Sequence, residues 1–198
     1  MFIVGLTGGI ASGKSFVIKY LKKLKIPTHE SDKVVRLLYQ NPSEEFINYL
    51  NKEGFGNFIT KKQINKKKIR DEVFKNKNKR KKLEKFLHKR VEKERNRFIK
   101  KNREKNIVFI DIPLLFEKKL EKEFDFVCSV MATLKEREKR ALKRPGMNNS
   151  MFRLIVKNQV KDRIRKLKSN YIINTSATKT KTCLQVDNII YDILNKEK

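Results

Sequence analysis

Short apolar runs alternate along this chain with longer stretches whose apolar residues recur every three or four positions. Ile3 to Thr7 is the first run, with the unbroken apolar character of a strand buried on both faces, and the glycine-bearing segment Gly8 to Gly13 follows it as a turn. Phe16, Val17, Tyr20, Leu21 and Leu24 then fall at helical spacing, which predicts a helix from Lys14 to Leu24. A second short strand is expected near Ile26 to His29. Residues 31–51 and 62–104 read as helical, and the second stretch is very basic, with Ile69, Val73, Phe74, Leu83, Phe86, Leu87 and Val91 as its apolar positions. Thr60 and Gln63 have the spacing of a capping box at the start of that stretch. Further strands are predicted at Ile107 to Ile110, ended by Asp111 and Pro113, at Phe126 to Val130, and at Tyr171 to Ile173. Between the last two, residues 134–168 return to basic helix, broken around Pro145 to Asn149, and a helix from Leu184 to Leu194 closes the chain.

Strands alternating with helices predict an α/β fold around a mainly parallel sheet. At 198 residues the chain suits one globular domain, with no internal repeat and no flexible linker. No apolar run approaches the ~20 residues that a membrane helix needs. The opening apolar run is too short for a signal-peptide core and lacks a basic leader, so it reads as a buried strand. Cys128 and Cys183 are far apart and match no metal spacing, which leads to the expectation of a reducing, cytoplasmic setting.

Charge changes the picture only slightly. Fifty Lys and Arg face 22 Asp and Glu, a formal net charge of +28. Lysine is spread along nearly the whole chain and accompanied by many Asn and Ile residues. A nucleic-acid surface needs its cations gathered on one face, so compositional drift is the preferred reading and no dedicated nucleic-acid partner is expected. A basic field attracts anionic small molecules in either case.

The chemistry is carried by Gly8-Gly9-Ile10-Ala11-Ser12-Gly13-Lys14-Ser15, which satisfies G-x-x-x-x-G-K-[ST] between a predicted strand and a predicted helix. Glycines let several N–H groups converge on one anion, and the following helix aims its positive end at the same point. Lys14 is placed to reach β- and γ-phosphates, and the Ser15 hydroxyl to hold Mg²⁺. Nucleotide binding therefore extends from Gly8 through Phe16. Motors, GTPases and small-molecule kinases all use such a loop. The guanine-reading N-K-x-D element is absent, since Asn76-Lys77-Asn78-Lys79 lacks the Asp, and the chain is short for a motor. A small-molecule kinase fits best. Asp111, at the end of a buried strand, is a candidate Mg²⁺ carboxylate or equally a loop cap. Asp32 read by itself is a helix N-cap ahead of Val34, Val35, Leu37 and Leu38. Arg140 and Arg144, four apart, share a predicted helical face and are either phosphoryl-gripping arginines or solvated charges.

Four segments also resemble the dephospho-CoA kinase family, in order and over nearly the whole chain. They are Leu6-Thr7-Gly8-Gly9-Ile10; Thr28 to Arg36 around Asp32; Asp111-Ile112-Pro113-Leu114-Leu115-Phe116-Glu117; and Arg140, Arg144, Gln159 with Asn170 to Asn174. Departures are Ala11 where a glycine is usual, Phe16 for threonine, Glu30-Ser31 for Asp-Ala, Lys89 for proline, and Asn174-Thr175 for Asp-Asn. The resemblance implies a P-loop, nucleoside-monophosphate-kinase-like fold: a five-stranded parallel sheet flanked by helices, with an inserted acceptor-binding helical region at 31–104 and a lid at 135–168. The nucleotide core would comprise about 1–30, 105–134 and 169–198. It implies transfer of the γ-phosphate of ATP, with Mg²⁺, to the ribose 3′-hydroxyl of dephospho-CoA. In that scheme Asp32 is the base, with Lys14 and Arg140 as its catalytic companions. Arg36, His88, Pro113, Leu114 and Leu115 lie on the acceptor side, and Glu117 is surface charge. The alternatives are a nucleoside-monophosphate or related metabolite kinase, and a nucleic-acid-binding ATPase. Oligomeric state is left open.

Overall fold

The computed structural model describes residues 1–196. In chain order the first elements are β1 (Phe2–Gly8), α1 (Lys14–Lys23), β2 (Thr28–Glu30), α2 (Ser31–Gln40), α3 (Glu44–Lys52), β3 (Ile59–Thr60), β4 (Gln63–Ile64), α4 (Lys66–Lys75) and α5 (Lys77–Lys101). They are followed by β5 (Ile107–Asp111), β6 (Phe126–Met131), α6 (Leu134–Leu142), α7 (Asn149–Asn158), α8 (Asp162–Lys168), β7 (Tyr171–Asn174) and α9 (Lys179–Leu194). The chain divides into two compact units, one made of residues 1–29 with those from 99 onward, the other of residues 30–98.

The first unit is built on the predicted five-stranded sheet, in the order β2-β5-β1-β6-β7. β1 pairs in parallel with β5 and with β6, and β6 in parallel with β7. The parallel arrangement explains the near-continuous apolar composition of β1, β5 and β6, because helices cover both faces. Val4, Leu6, Val17, Leu21, Cys128, Val130 and Ile193 form one core, each fully removed from solvent. Burying one such aliphatic side chain is worth roughly 1.5–3 kcal/mol. From central β1 the chain passes outward to β2, whereas from β5 it crosses to β6 on the other side. That reversal leaves a crevice beyond the carboxyl ends of β1 and β5, where open α/β sheets place their ligands. Register sets Leu6 beside Asp111 there.

The second unit is helical around Leu38, Phe46, Leu50, Phe55, Ile69 and Leu83. Tyr49 stacks on Phe86 with ring centroids 4.1 Å apart, and Phe46 stacks on the same ring at 5.5 Å. One expectation is refined here and another corrected. The stretch 31–51 is two helices, separated where the Ser43 side chain accepts the Phe46 N–H and caps α3. Thr60 and Gln63 form no capping box, because they pair across an antiparallel hairpin. Lys61 and Lys62 make its two-residue turn at φ +47° and +64°. Left-handed lysines disguise a turn that sequence normally announces with Asn-Gly or Asp-Gly. The real cap of α4 is Asn65, whose side chain accepts the Lys68 N–H at 3.1 Å. In the first unit, α9 begins at Lys179, five residues earlier than its apolar spacing suggests, because Thr178 caps it.

Candidate active site

The loop joining β1 to α1 turns through two left-handed residues, Ala11 (φ +55°) and Gly13 (φ +93°). Ala11 holds its positive φ with a Cβ, at a cost on the order of 1 kcal/mol. Gly13 is the N-cap of α1 and supplies no side-chain cap, and the first turn of α1 contains no acidic residue. The positive end of α1 is thus uncompensated by the protein. The earliest bond of the helix is donated by the Phe16 N–H to the Gly13 carbonyl (2.9 Å), so the amides of Lys14 and Ser15 precede the ladder. The Ser12 Oγ is buried and meets no protein partner. An uncapped helix start, early amides and an orphaned hydroxyl fit a polyphosphate.

Lys14 donates to the Asp111 carboxylate, bringing the two predicted residues together across the crevice. Asp111 is buried and Lys14 half-buried, so the pair is shielded from water on the sheet side. Ser15 is exposed beside it. No group of three or more His, Cys, Asp or Glu side chains able to hold a metal exists among the described residues. What is present, one carboxylate and one hydroxyl, suits a hard cation that takes most of its oxygens from water and phosphate, as Mg²⁺ does.

Three side chains hold the loop from outside. Arg137, only 3% exposed, donates through Nε to the Ile10 carbonyl (2.9 Å) and through Nη1 to Asp162 (2.9 Å). Gln159 accepts the Ile10 N–H at 2.9 Å. The Thr175 hydroxyl donates to the Ser12 carbonyl at 2.6 Å and accepts from Arg140 Nη1 at 2.9 Å. Arg140 Nη2 also donates to the Thr175 carbonyl at 2.6 Å. Arg140 is therefore anchored beside the loop rather than solvated. Burial pulls the Arg137 guanidinium below the usual arginine range, opposed by the carboxylate of Asp162.

Sequence reasoning missed Arg137. It sits in a run of basic residues, and nothing in its spacing separates it from the solvated ones; its burial is set by the α6 side that faces the loop. Arg144 lies beyond the end of α6 at Leu142, so it does not share a helical face with Arg140. Glu117 is not surface charge: its Oε1 accepts the Val160 N–H at 2.8 Å and lies 3.6 Å from buried Arg165. Leu115 is fully buried, packed where any Cβ on Gly5 would approach it to 2.8 Å, so its side chain belongs to the interior of the first unit. Leu114 remains 40% exposed, and the Pro113 carbonyl accepts from the Thr7 hydroxyl at 3.3 Å.

The other residues expected on the acceptor side belong to the second unit. Asp32 lies in the first turn of α2, exposed, but the N-cap is Glu30, so Asp32 is not the capping residue. Arg36 follows one turn later on the same face of α2 and is also exposed. His88 is exposed on α5. Asn174 closes a local turn by accepting the Ser176 N–H at 2.9 Å.

A phosphate loop at the switch point of a parallel sheet, with a lysine–carboxylate pair at its mouth, defines a P-loop nucleotide-binding protein. A model of the dephospho-CoA kinase family matches residues 2–181, and the chain belongs to that family. The dephospho-CoA kinase of Zymomonas mobilis subsp. mobilis is 34% identical over 87% of each chain. That of Bartonella quintana is 34% identical over 98% of this chain and 99% of its own. In fold, the dephospho-CoA kinase from Campylobacter jejuni superposes with a TM-score of 0.71 at 23% identity, covering 96% of both chains.

Proposed function

We propose that the protein transfers the γ-phosphoryl group of ATP to the ribose 3′-hydroxyl of dephospho-CoA, releasing ADP and CoA. The phosphate loop, in a chain of this family, carries the reading. Loop amides and the start of α1 hold the β- and γ-phosphates, and Lys14 adds a mobile positive charge at the same place. Asp32 orients the 3′-hydroxyl and takes its proton as the oxygen bonds to the γ-phosphorus and the bond to the β,γ-bridging oxygen breaks. Arg140 meets the charge that spreads over the equatorial oxygens. Ser15 and Asp111 would hold Mg²⁺, which when bound neutralises phosphate charge. Arg36 and His88 of region 31–104 bind the acceptor in this reading, as do Pro113, Leu114 and Leu115. Segment 135–168 acts as a lid that excludes water. The setting is cytoplasmic; no helix among the described residues is long and apolar enough to cross a membrane.

The test is ADP release from Mg²⁺-ATP with dephospho-CoA, AMP, CMP or no acceptor. Dependence on dephospho-CoA with a 3′-phosphorylated product is expected. Turnover only with a nucleoside monophosphate, or without any acceptor, would sink the assignment.

A further inference from the structure

We infer that Arg137 and Thr175 are positioning residues for the phosphate cradle: each holds a loop carbonyl outward and so aims the next amide at the nucleotide phosphates. The inference rests on the nucleotide reading above and extends it to residues that touch no substrate.

In a planar trans peptide the C=O and the following N–H point in opposite directions. The Ile10 carbonyl shares its peptide with the Ala11 N–H, and the Ser12 carbonyl shares its peptide with the Gly13 N–H. Arg137 Nε draws the first carbonyl toward α6 at 2.9 Å, and the Thr175 hydroxyl draws the second toward the end of β7 at 2.6 Å. Both amides are thereby turned to the opposite side, at the two residues whose positive φ shapes the loop. An anion nest depends on that alternation.

The two anchors are themselves held. Arg137 is buried and its fork also reaches Asp162 at 2.9 Å and Gln159 at 3.4 Å, while Gln159 takes the Ile10 N–H. One peptide unit on each side of Ile10 is therefore gripped by residues of 135–168. Both anchors lie close against the loop: a Cβ on Gly9 would meet the Arg137 guanidinium, and one on Gly13 would come within 2.9 Å of the Thr175 Oγ1. Thr175 relays a chain of hydrogen bonds from Arg140 to the Ser12 carbonyl, and such chains polarise each other. A lid segment that moves Arg137 changes the direction of the Ala11 amide, so cradle and lid are coupled through the side chains of Arg137 and Gln159.

The test compares ADP, whose phosphates occupy the cradle, with adenosine, which has none, by calorimetric or NMR titration of the full chain. Thr175→Val keeps the shape and removes the hydroxyl; Arg137→Met removes the fork, and Arg137→Lys restores charge and one donor. Thr175→Val and Arg137→Met are each expected to weaken ADP roughly 5- to 50-fold, the range of one lost hydrogen bond to a neutral or charged donor. Adenosine should change less than about twofold, and Arg137→Lys should recover part of the loss. If Arg137→Met does not fold, Thr175→Val and Arg137→Lys carry the comparison. Unchanged ADP affinity, or equal losses for ADP and adenosine, overturns the positioning roles while leaving the kinase reading intact. A parent protein that binds no ADP overturns both.

Discussion

Lys14 reaches Asp111 across the crevice and, in the proposed reaction, also carries charge for the phosphates. Its replacement by Met should lower kcat/KM about 100-fold or more, the usual cost of one preorganised donor in a closed site; steady-state kinetics with dephospho-CoA checks this, and near-parental turnover would remove Lys14 from the mechanism. The two thiols offer a second test. Burial pushes the Cys128 thiol up to about 12, so it stays protonated and inert, whereas Cys183 is only half-buried. Native protein at a pH of about 8 should take up one alkylating label, at Cys183, and denatured protein two. Mass spectrometry showing Cys128 labelled in native protein would mean that β6 opens far more readily than its packing allows.

Among the elements, α8 is held by charge more than by oil. Arg165 is fully buried, bonded to Asp162 at 2.8 Å and facing Glu117 at 3.6 Å. Glu117→Ala removes both an acceptor for the Val160 N–H and a counter-charge, and should destabilise the fold by about 2–4 kcal/mol. Glu117→Gln, which keeps the acceptor, should cost less; thermal or urea unfolding of the two variants decides it, and equal costs would assign the effect to the lost counter-charge alone. At α4 the cap is Asn65, so Asn65→Ala should lose about 1 kcal/mol while Thr60→Ala should not lose a cap. A larger loss at Thr60 in the same unfolding assay would restore the capping box. The contrast explains how much was legible at this scale. β1, β5, β6 and α1 could be read because burial imposes an apolar period on them. The β3–β4 hairpin could not, since two lysines fill its turn and its strands are two residues long.

For the molecule as a whole, +28 formal charges repel one another. Local pairs such as Arg80–Glu84 at 2.9 Å are exposed and contribute little. Raising salt from about 0.01 M to about 0.1 M shortens the screening length from roughly 30 Å to roughly 10 Å, so the unfolding midpoint should rise. A flat or falling midpoint would show that repulsion is not the dominant electrostatic cost. The sequence by itself determined the sheet, the phosphate loop and the family, because backbone conformation at glycines and burial in a parallel sheet restrict residue choice locally and leave an ordered pattern. Only the tertiary structure decided which basic residues beyond Lys14 and Arg140 are set apart from the solvated ones. Arg137 and Arg165 are distinguished from their neighbours by what folds against them, and the Ile10 and Glu117 groups that select them come from distant parts of the chain.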